Sequence, residues 1–354
     1  MTPYWVLLFF FSAGALLTPA WSNRGGAPNP LFVMGAIAMA LMIGLRFQVG
    51  GDWFSYERIF FAVGHLDFWE AVTNGDPGFR LLNWVTQQVG GDLWLVDLVC
   101  GAVFVTGVYK LARLQPNPWL AVVVAVPYLI IVVGMGYTRQ SIALGFGMIG
   151  LAGLMRGSSA FRFIAYIILA TLFHKSAIVM ILVLAAGHRS RFINLLIGVS
   201  AAFVLYDLVV SSALPTLSRN YLEAGYDAQG ATVRIFMNFV PAVLFLLRPR
   251  SFGFDEREIN IVRIMAYAGL VFPLLLWWVP SSAALDRLAL YISPLQMIIL
   301  SRIPGAYVKE DFGKVIILAY AVAVQFVWMN FAQHAGDWIP YRVWPMTDER
   351  NANI

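Results

Sequence analysis

One arginine stands where two long apolar runs meet, in the segment GMGYTRQ from Gly134 to Gln140. The runs cover roughly residues 119–133 and 141–155, and ionisable side chains at a membrane boundary are costly and tend to be functional. The guanidinium of Arg139 donates in a planar fork that suits phosphate, so we predict that it binds an anion and stabilises a leaving group. The alternative is an arginine that only anchors its helix at the interface.

Two acidic residues precede apolar segments and are candidates for the same site. Asp52 follows a glycine pair in RFQVGGDWFSY, and Asp76 stands before Pro77 in NGDPGF. We predict that Asp52 deprotonates or orients a hydroxyl group and that Asp76 contacts the substrate. Two alternatives stay open: Asp52 also suits the N-cap of the helix that follows it, and Asp76 is also typical of a turn.

A histidine and a lysine interrupt a third apolar run, in FHKS. His174 is predicted to act as a general base near neutral pH, or to donate to a sugar or a phosphate, with Lys175 beside it. A single histidine in an apolar run is otherwise typical of a core position. The four histidines of the chain are not spaced as paired ligands on one helix, so we predict no metal site.

Basic and aromatic residues recur together in SRNY and DRLALY. Arg219 and Arg287 are predicted to join Arg139 in an anion site, whereas Asp286 is equally suited to a plain ion pair with Arg287 or another arginine. Arg46 is predicted to contact the substrate, with snorkelling to lipid headgroups as its alternative. The remaining predicted substrate contacts are Tyr56, Tyr137, Gln140, Tyr221 and Tyr291.

Motifs for nucleotide and metal chemistry are missing from the sequence. It contains no phosphate-binding loop of the Walker type, no dinucleotide fingerprint and no Asp-x-Asp pair. The single cysteine, Cys100, lies in an apolar run, which excludes a disulfide framework within the chain. We therefore predict no cofactor.

The composition is that of a helical membrane protein. Of the 354 residues 60% are hydrophobic and 12% charged, whereas an ordinary soluble domain is about 25% charged. We predict an all-α, polytopic fold forming one integral membrane domain over residues 1–354, and no binding of nucleic acid, because the basic residues lie scattered in short loops. About ten spans are predicted at 4–21, 31–47, 93–112, 118–134, 139–155, 192–211, 233–248, 261–280, 286–302 and 313–332.

The segment 162–187 is too short for two full spans, and a single span would bury His174 and Lys175 at the midplane. A hairpin of two short helices that turns near His174 avoids both problems. It also places fourteen of the 24 basic residues with only five acidic ones on one side of the membrane, the side predicted to be cytoplasmic. The candidate site residues then share the outer side, together with the outer loops 48–92 and 212–232.

Several of these segments resemble the EpsG family of Wzy-type polysaccharide polymerases, which make exopolysaccharide or O-antigen. The matching elements run in the family's order from about residue 45 to 300, and GYTRQSIA and LFHKSA are the most specific of them. The others are RFQVGGDWFSY, DPGF, SRNY and DRLALY, and the tail DWIPYR is also similar.

The resemblance implies a bacterial inner-membrane glycosyltransferase of GT-C-like architecture, active on the periplasmic face and independent of metal. It would transfer a glycan chain from undecaprenyl diphosphate onto the next lipid-linked repeat unit. Arg139, with Arg219 or Arg287, would bind the donor diphosphate, and His174 or Asp52 would deprotonate the acceptor hydroxyl. A flippase and a chain-length regulator are implied partners, besides the lipid-linked oligosaccharide and membrane lipid.

Two other functions fit the same residues. A ligase would use the same lipid-linked donor, and its loss would leave long lipid-linked polymer instead of single repeat units. A flippase or transporter for lipid-linked oligosaccharide would typically show internal repeats, which the sequence lacks, and polar residues on both faces.

Overall fold

The apolar runs of the sequence form helices in this computed structural model, which describes residues 1–20, 29–186, 197–199, 230–277 and 282–346. No β-strand occurs within these ranges, where only two isolated bridges are found. An all-helical fold was predicted, and the described part of the chain confirms it.

The first part of the chain contains long helices separated by a group of short ones. The long helices are α1 (Thr2–Leu17), α2 (Pro30–Gly44) and α6 (Leu93–Ala112). The short helices of the predicted loop 48–92 are α3 (Trp53–Gly64), α4 (Phe68–Thr73) and α5 (Pro77–Gln88). Local chemistry sets some of these boundaries: Asn29 caps α2 by accepting from the backbone N–H of Leu31 at 2.9 Å, and Pro30 follows as its first residue.

The middle of the chain contains the most deeply buried helix of the bundle. Its elements are α7 (Pro118–Ala125), which continues as a π-helix (Val126–Gly134), α8 (Thr138–Met155), α9 (Ala160–Phe173) and a 3-10 helix (Lys175–Ala186). Every residue from Trp119 to Gly136 is buried, so protein surrounds α7 and the π-helix on all sides. By contrast, α1, α2 and the last long helix expose large apolar side chains such as Phe9, Met34 and Phe326, which suits contact with lipid.

The last part of the chain completes the bundle. Its helices are α10 (Ala231–Leu247), α11 (Glu256–Leu275), α12 (Ser282–Ala289), α13 (Pro294–Leu300), α14 (Ile303–Ala306) and α15 (Glu310–Phe331). Short 3-10 segments occupy Pro249–Phe252, Leu290–Ile292 and Gln333–Trp338. Helices α6 and α8 pack together closely, as do α10 and α11.

Three described helices, α6, α11 and α15, are long and apolar enough to cross a membrane. Others are apolar but shorter, including α1, α2, α10 and α7 with its π-helix. The predicted span 286–302 is divided instead into α12, a 3-10 turn and α13, because Pro294 has no N–H to continue a helix and serves as a first helical residue. Most of the predicted span 192–211 lies outside the described residues.

The predicted hairpin corresponds to α9 and the 3-10 helix that follows it, which pack against each other. His174 separates them with an extended backbone (φ −157°, ψ 113°). It thus lies in the turn, as the sequence predicts.

Candidate active site

The site is built around Arg139, the second residue of α8. Its Nη1 lies 2.9 Å from Oδ2 of Asp76, which immediately precedes α5. The guanidinium carbon stands 5.8 Å from the centre of the Tyr56 ring on α3. The Arg139 side chain is still 37% exposed, so it is held by protein groups and remains reachable.

Asp52 and Asp76 both occupy N-cap positions without using their side chains as caps. Instead, Asp76 pairs with Arg139, and Asp52 bonds to Tyr56 within range of Arg139 and Arg287. Burial raises the pKa of both carboxyl groups, and the nearby cations oppose that rise. The capping alternative for Asp52 is therefore not realised, and both carboxyls face the arginine cluster.

His174 lies among cations. Its Nδ1 is 2.6 Å from Oγ of Ser176 and 3.4 Å from the hydroxyl of Tyr291. Burial, together with the charges of Arg139, Arg287 and Lys175, lowers the pKa of His174 to about 3. The imidazole is therefore neutral at physiological pH and can accept a proton or a hydrogen bond.

Helix α12 is joined to α8 through polar contacts. The Nε2 of the buried Gln140 donates to the backbone oxygen of Arg287 at 3.4 Å, and the Gln140 side chain also bonds to Tyr291. The Arg287 side chain is exposed. Tyr137, half-buried at the N-cap of α8, completes this side of the cluster.

A second ion pair stands beside the cluster. Arg234 on α10 donates through Nε and a terminal nitrogen to the two oxygens of Asp286, both at 2.7 Å. The sequence suggested an ion pair for Asp286 but did not identify its partner. Arg234 is the fourth residue of the otherwise apolar helix α10. A lone arginine at the start of an apolar helix was the sequence signal that could have identified it as the partner.

Arg46 is completely buried beneath the cluster. It donates to Asp97 at 2.8 Å, to the Thr138 hydroxyl at 2.7 Å and to the backbone oxygens of Ile43 and Val49. A substrate contact and snorkelling to lipid headgroups would both require the Arg46 side chain to reach the surface, which it does not. We therefore assign Arg46 the role of positioning the segments that carry the site. Asp97 and Thr138 were missed by the sequence analysis.

The C-terminal tail adds a structural part of the site that the sequence did not predict. The backbone of 337–344 bonds to that of 45–50, for example Trp344 N to Leu45 O at 2.8 Å and Gly50 N to Asp337 O at 2.8 Å. The Trp338 ring packs so closely on Gly136 that a Cβ there would lie 2.4 Å from it. This contact explains Gly136, the second glycine of GMGYTRQ.

The structure thus brings most of the predicted site residues to one end of the bundle. They are Asp52, Tyr56, Asp76, Tyr137, Arg139, Gln140, His174, Lys175, Arg287 and Tyr291. Arg219 and Tyr221 lie outside the described residues, as does nearly all of the loop 212–232. Within the described ranges no group of three histidine, cysteine or acidic side chains could hold a metal ion.

These features define a helical membrane protein with a cluster of ionisable side chains at one end of its bundle. The family model of the EpsG family matches residues 30–343, so the chain belongs to the EpsG family. This family consists of Wzy-like polysaccharide polymerases, and the protein is accordingly a membrane polysaccharide polymerase. The resemblance seen in the sequence is confirmed. No curated protein and no solved structure matched the chain.

Proposed function

We propose that the protein lengthens a glycan at the periplasmic face of a bacterial inner membrane. It would transfer the growing chain from undecaprenyl diphosphate to the next lipid-linked repeat unit. The observation that carries this proposal is the convergence of Arg139, Arg287 and Lys175 on the neutral His174. Such a group of cations beside an uncharged base suits a diphosphate leaving group and a hydroxyl acceptor.

Arg139 is the central group for binding the donor diphosphate. Its side chain bonds to Asp76 and Tyr56, yet 37% of it stays exposed, so a diphosphate can still reach the guanidinium. The pairing with Asp76 orients the guanidinium while leaving it partly exposed. Arg287 and Lys175 add positive charge from α12 and from the hairpin, and we propose that Arg219 does the same from the outer loop.

The proposed transfer involves one bond formed and one broken. The acceptor hydroxyl oxygen attacks the anomeric carbon of the donor, and the bond from that carbon to the diphosphate oxygen breaks. The electron pair leaves with undecaprenyl diphosphate, whose growing charge the arginines stabilise. The hydroxyl proton passes to a base.

His174 and Asp52 are the two candidates for that base. His174 is neutral because of burial and the surrounding cations, and a bound diphosphate would offset those cations and make the imidazole more basic. Asp52 is a half-buried carboxyl, and this partial burial raises its pKa and so strengthens it as a base. We place His174 first because it adjoins Ser176 and Tyr291, two hydroxyls able to orient an acceptor.

Further proposals concern the substrate and the surroundings of the enzyme. Tyr56, Tyr137, Gln140 and Tyr291 would line the sugar pocket, with Asp76 orienting Arg139. Since cationic side chains neutralise the diphosphate, we propose that no metal ion is needed and that polymerisation continues in EDTA. A flippase would supply the lipid-linked units, and a chain-length regulator would limit the product.

The decisive experiment is complementation of a polymerase-deletion strain, followed by mass analysis of its lipid-linked glycans. We expect Arg139→Ala to abolish polymer and to leave single lipid-linked repeat units. Removing one hydrogen-bond donor that stabilises the transition state typically lowers the rate by about 10²–10³. Because Arg139 would also bind the lipid-linked substrate, its loss should lower the rate by at least that much. The matched control is Arg58→Ala, an exposed arginine on α3 whose hydrogen bonds to described residues go to the Phe54 backbone oxygen and the Ser55 hydroxyl.

Protein levels in the membrane must be equal for the comparison. Normal polymer from Arg139→Ala would show that the site has been misplaced. Long lipid-linked polymer in the deletion strain would instead identify a ligase, which uses the same donor.

A further inference from the structure

A second cluster of arginines lies at the opposite end of the bundle. Arg248, Arg250, Ser251, Glu256 and Arg263 line a cavity of about 390 Å³ between the end of α10 and the start of α11, which we call the basic cleft. Arg234 stands near the first residue of α10 and Arg248 directly follows its last, so the helix separates the cleft from the candidate active site by roughly 20 Å.

The wall of the cleft is fixed by packing. Arg302 donates to the backbone oxygen of Phe252 at 2.9 Å, and its guanidinium carbon lies 3.9 Å from the centre of the Phe254 ring. Phe252 also packs on Phe245 of α10. The loop that carries Arg250 and Ser251 is therefore held in place from both sides.

The charge of the cleft is positive. Three arginines face one carboxylate, Glu256, and none of the three forms an ion pair with another described residue. The neighbouring Asp255 and Glu258 bond to each other's backbone N–H groups in a capping box, at 2.8 and 3.0 Å. These carboxylates are thus engaged at the helix start and are not directed at the arginines.

An apolar stripe on α10 leads to the cleft. Val233, Phe236, Val240 and Leu247 recur at helical spacing and are 44–69% exposed. This stripe ends where the arginines begin. An arrangement of this kind suits a molecule with a charged head and a long apolar tail.

We infer that the basic cleft binds the phosphate headgroup of an anionic membrane lipid, whose acyl chain lies along the stripe of α10. Basic pockets between membrane helices typically receive such headgroups. The inference concerns a lipid site distinct from the candidate active site and does not depend on the proposed function. Free phosphate shares the headgroup chemistry but would make no use of the stripe.

Native mass spectrometry of the full chain in detergent tests this inference, with phosphatidylglycerol against zwitterionic phosphatidylethanolamine as probes. We expect the wild type to prefer phosphatidylglycerol and the variant Arg250→Gln/Arg263→Gln to bind it about ten- to thirtyfold more weakly, since each basic residue near a membrane contributes roughly a factor of five. The control Arg162→Gln removes an exposed arginine at the same end, outside the cleft, and should bind like the wild type.

Three results would overturn the inference: equal affinity of the wild type and the double variant, no preference for the anionic lipid, or displacement of the lipid by inorganic phosphate at equal concentration. The last would identify a free-anion site. Thermal unfolding without lipid checks that the variants fold. If the double variant does not fold, Arg250→Gln alone, at an exposed position, is expected to weaken binding about fivefold.

Discussion

At the scale of single residues, the site combines one neutral base with several fixed charges. His174 is surrounded by Arg139, Lys175 and Arg287, so protonating it would add a fourth positive charge to a partly buried cluster. The fold therefore keeps the imidazole uncharged and leaves the guanidinium groups to meet an anion. This division of roles needs no change of protonation before the substrate binds.

The lowered pKa of His174 predicts that the protein loses stability in acid. The unfolded histidine titrates at about 6.5 and the folded one at about 3, so below pH 6.5 the unfolded chain binds the additional proton. The contribution of His174 to stability is therefore full above pH 6.5 and is lost as the pH falls towards 3. We expect thermal unfolding of purified protein between pH 7.5 and 5 to show a smaller acid shift for His174→Gln than for the wild type.

His65→Gln is the matched control for that measurement. His65 is exposed at the end of α3, so its removal should leave the acid shift unchanged. An equal loss of midpoint temperature in the wild type and His174→Gln would contradict a half-buried, neutral imidazole.

Residue chemistry was the part of the site most visible in the sequence. Arg139, His174 and Asp76 stand out because charges beside apolar runs are rare, and all three lie in the cluster. Their partners could not be found in this way. The pairing of Asp286 with Arg234 depends on how α10 packs against α12, and the pairing of Arg46 with Asp97 depends on how α2 packs against α6. No local sequence pattern predicts that packing.

At the scale of elements, Arg46 links three segments beneath the site. It follows α2, pairs with Asp97 on α6, donates to Thr138 at the start of α8 and holds Val49 in the turn before Asp52. The turn itself is tight, since Gly50 has a φ of 105° and its Cβ position faces the oxygen of Met135 at 2.4 Å. The relative positions of Asp52 and Arg139 thus depend on a buried ion pair.

Breaking this pair should therefore destabilise the whole protein. Arg46→Ala or Asp97→Ala leaves one charge buried without its partner, which typically costs about 3–5 kcal/mol. We expect little folded protein from either variant by size-exclusion chromatography of detergent extracts. Arg46→Met/Asp97→Leu removes both charges at similar volume and should recover much of the folded fraction while polymer formation stays impaired.

That split between folding and activity is the informative result. Full activity in the double variant would show that the pair only stabilises the fold. An equally unfolded double variant would show that Arg46 acts mainly through its bonds to backbone oxygens and Thr138.

The elements themselves were predicted with uneven success. The hairpin around His174 followed from segment length and charge, and the chain does break there. The division of 286–302 was missed, because an apolar run looks continuous even where a proline starts a new helix. The tail against the turn at 45–50 was also missed, since backbone bonds between distant segments leave no periodic signal.

At the scale of the whole molecule, the two ends of the bundle differ in kind. One end carries mixed charges and the candidate active site, and the other carries arginines in the basic cleft and around Arg302. Helix α8 joins these ends over 18 residues, roughly 27 Å, which is close to the thickness of a bilayer core. Because arginine and lysine are enriched on the cytoplasmic side, we propose that the site end faces the periplasm.

Single-cysteine labelling tests this orientation in a Cys100→Ser background, since Cys100 is buried and is the chain's only cysteine. His65→Cys reports on the site end, and Arg156→Cys, at the far end of α8, reports on the other; both positions are exposed. We expect a membrane-impermeant maleimide to label His65→Cys in intact spheroplasts and Arg156→Cys only after permeabilisation. The opposite labelling pattern would place the candidate active site around Arg139 on the cytoplasmic side, where the proposed periplasmic transfer could not occur.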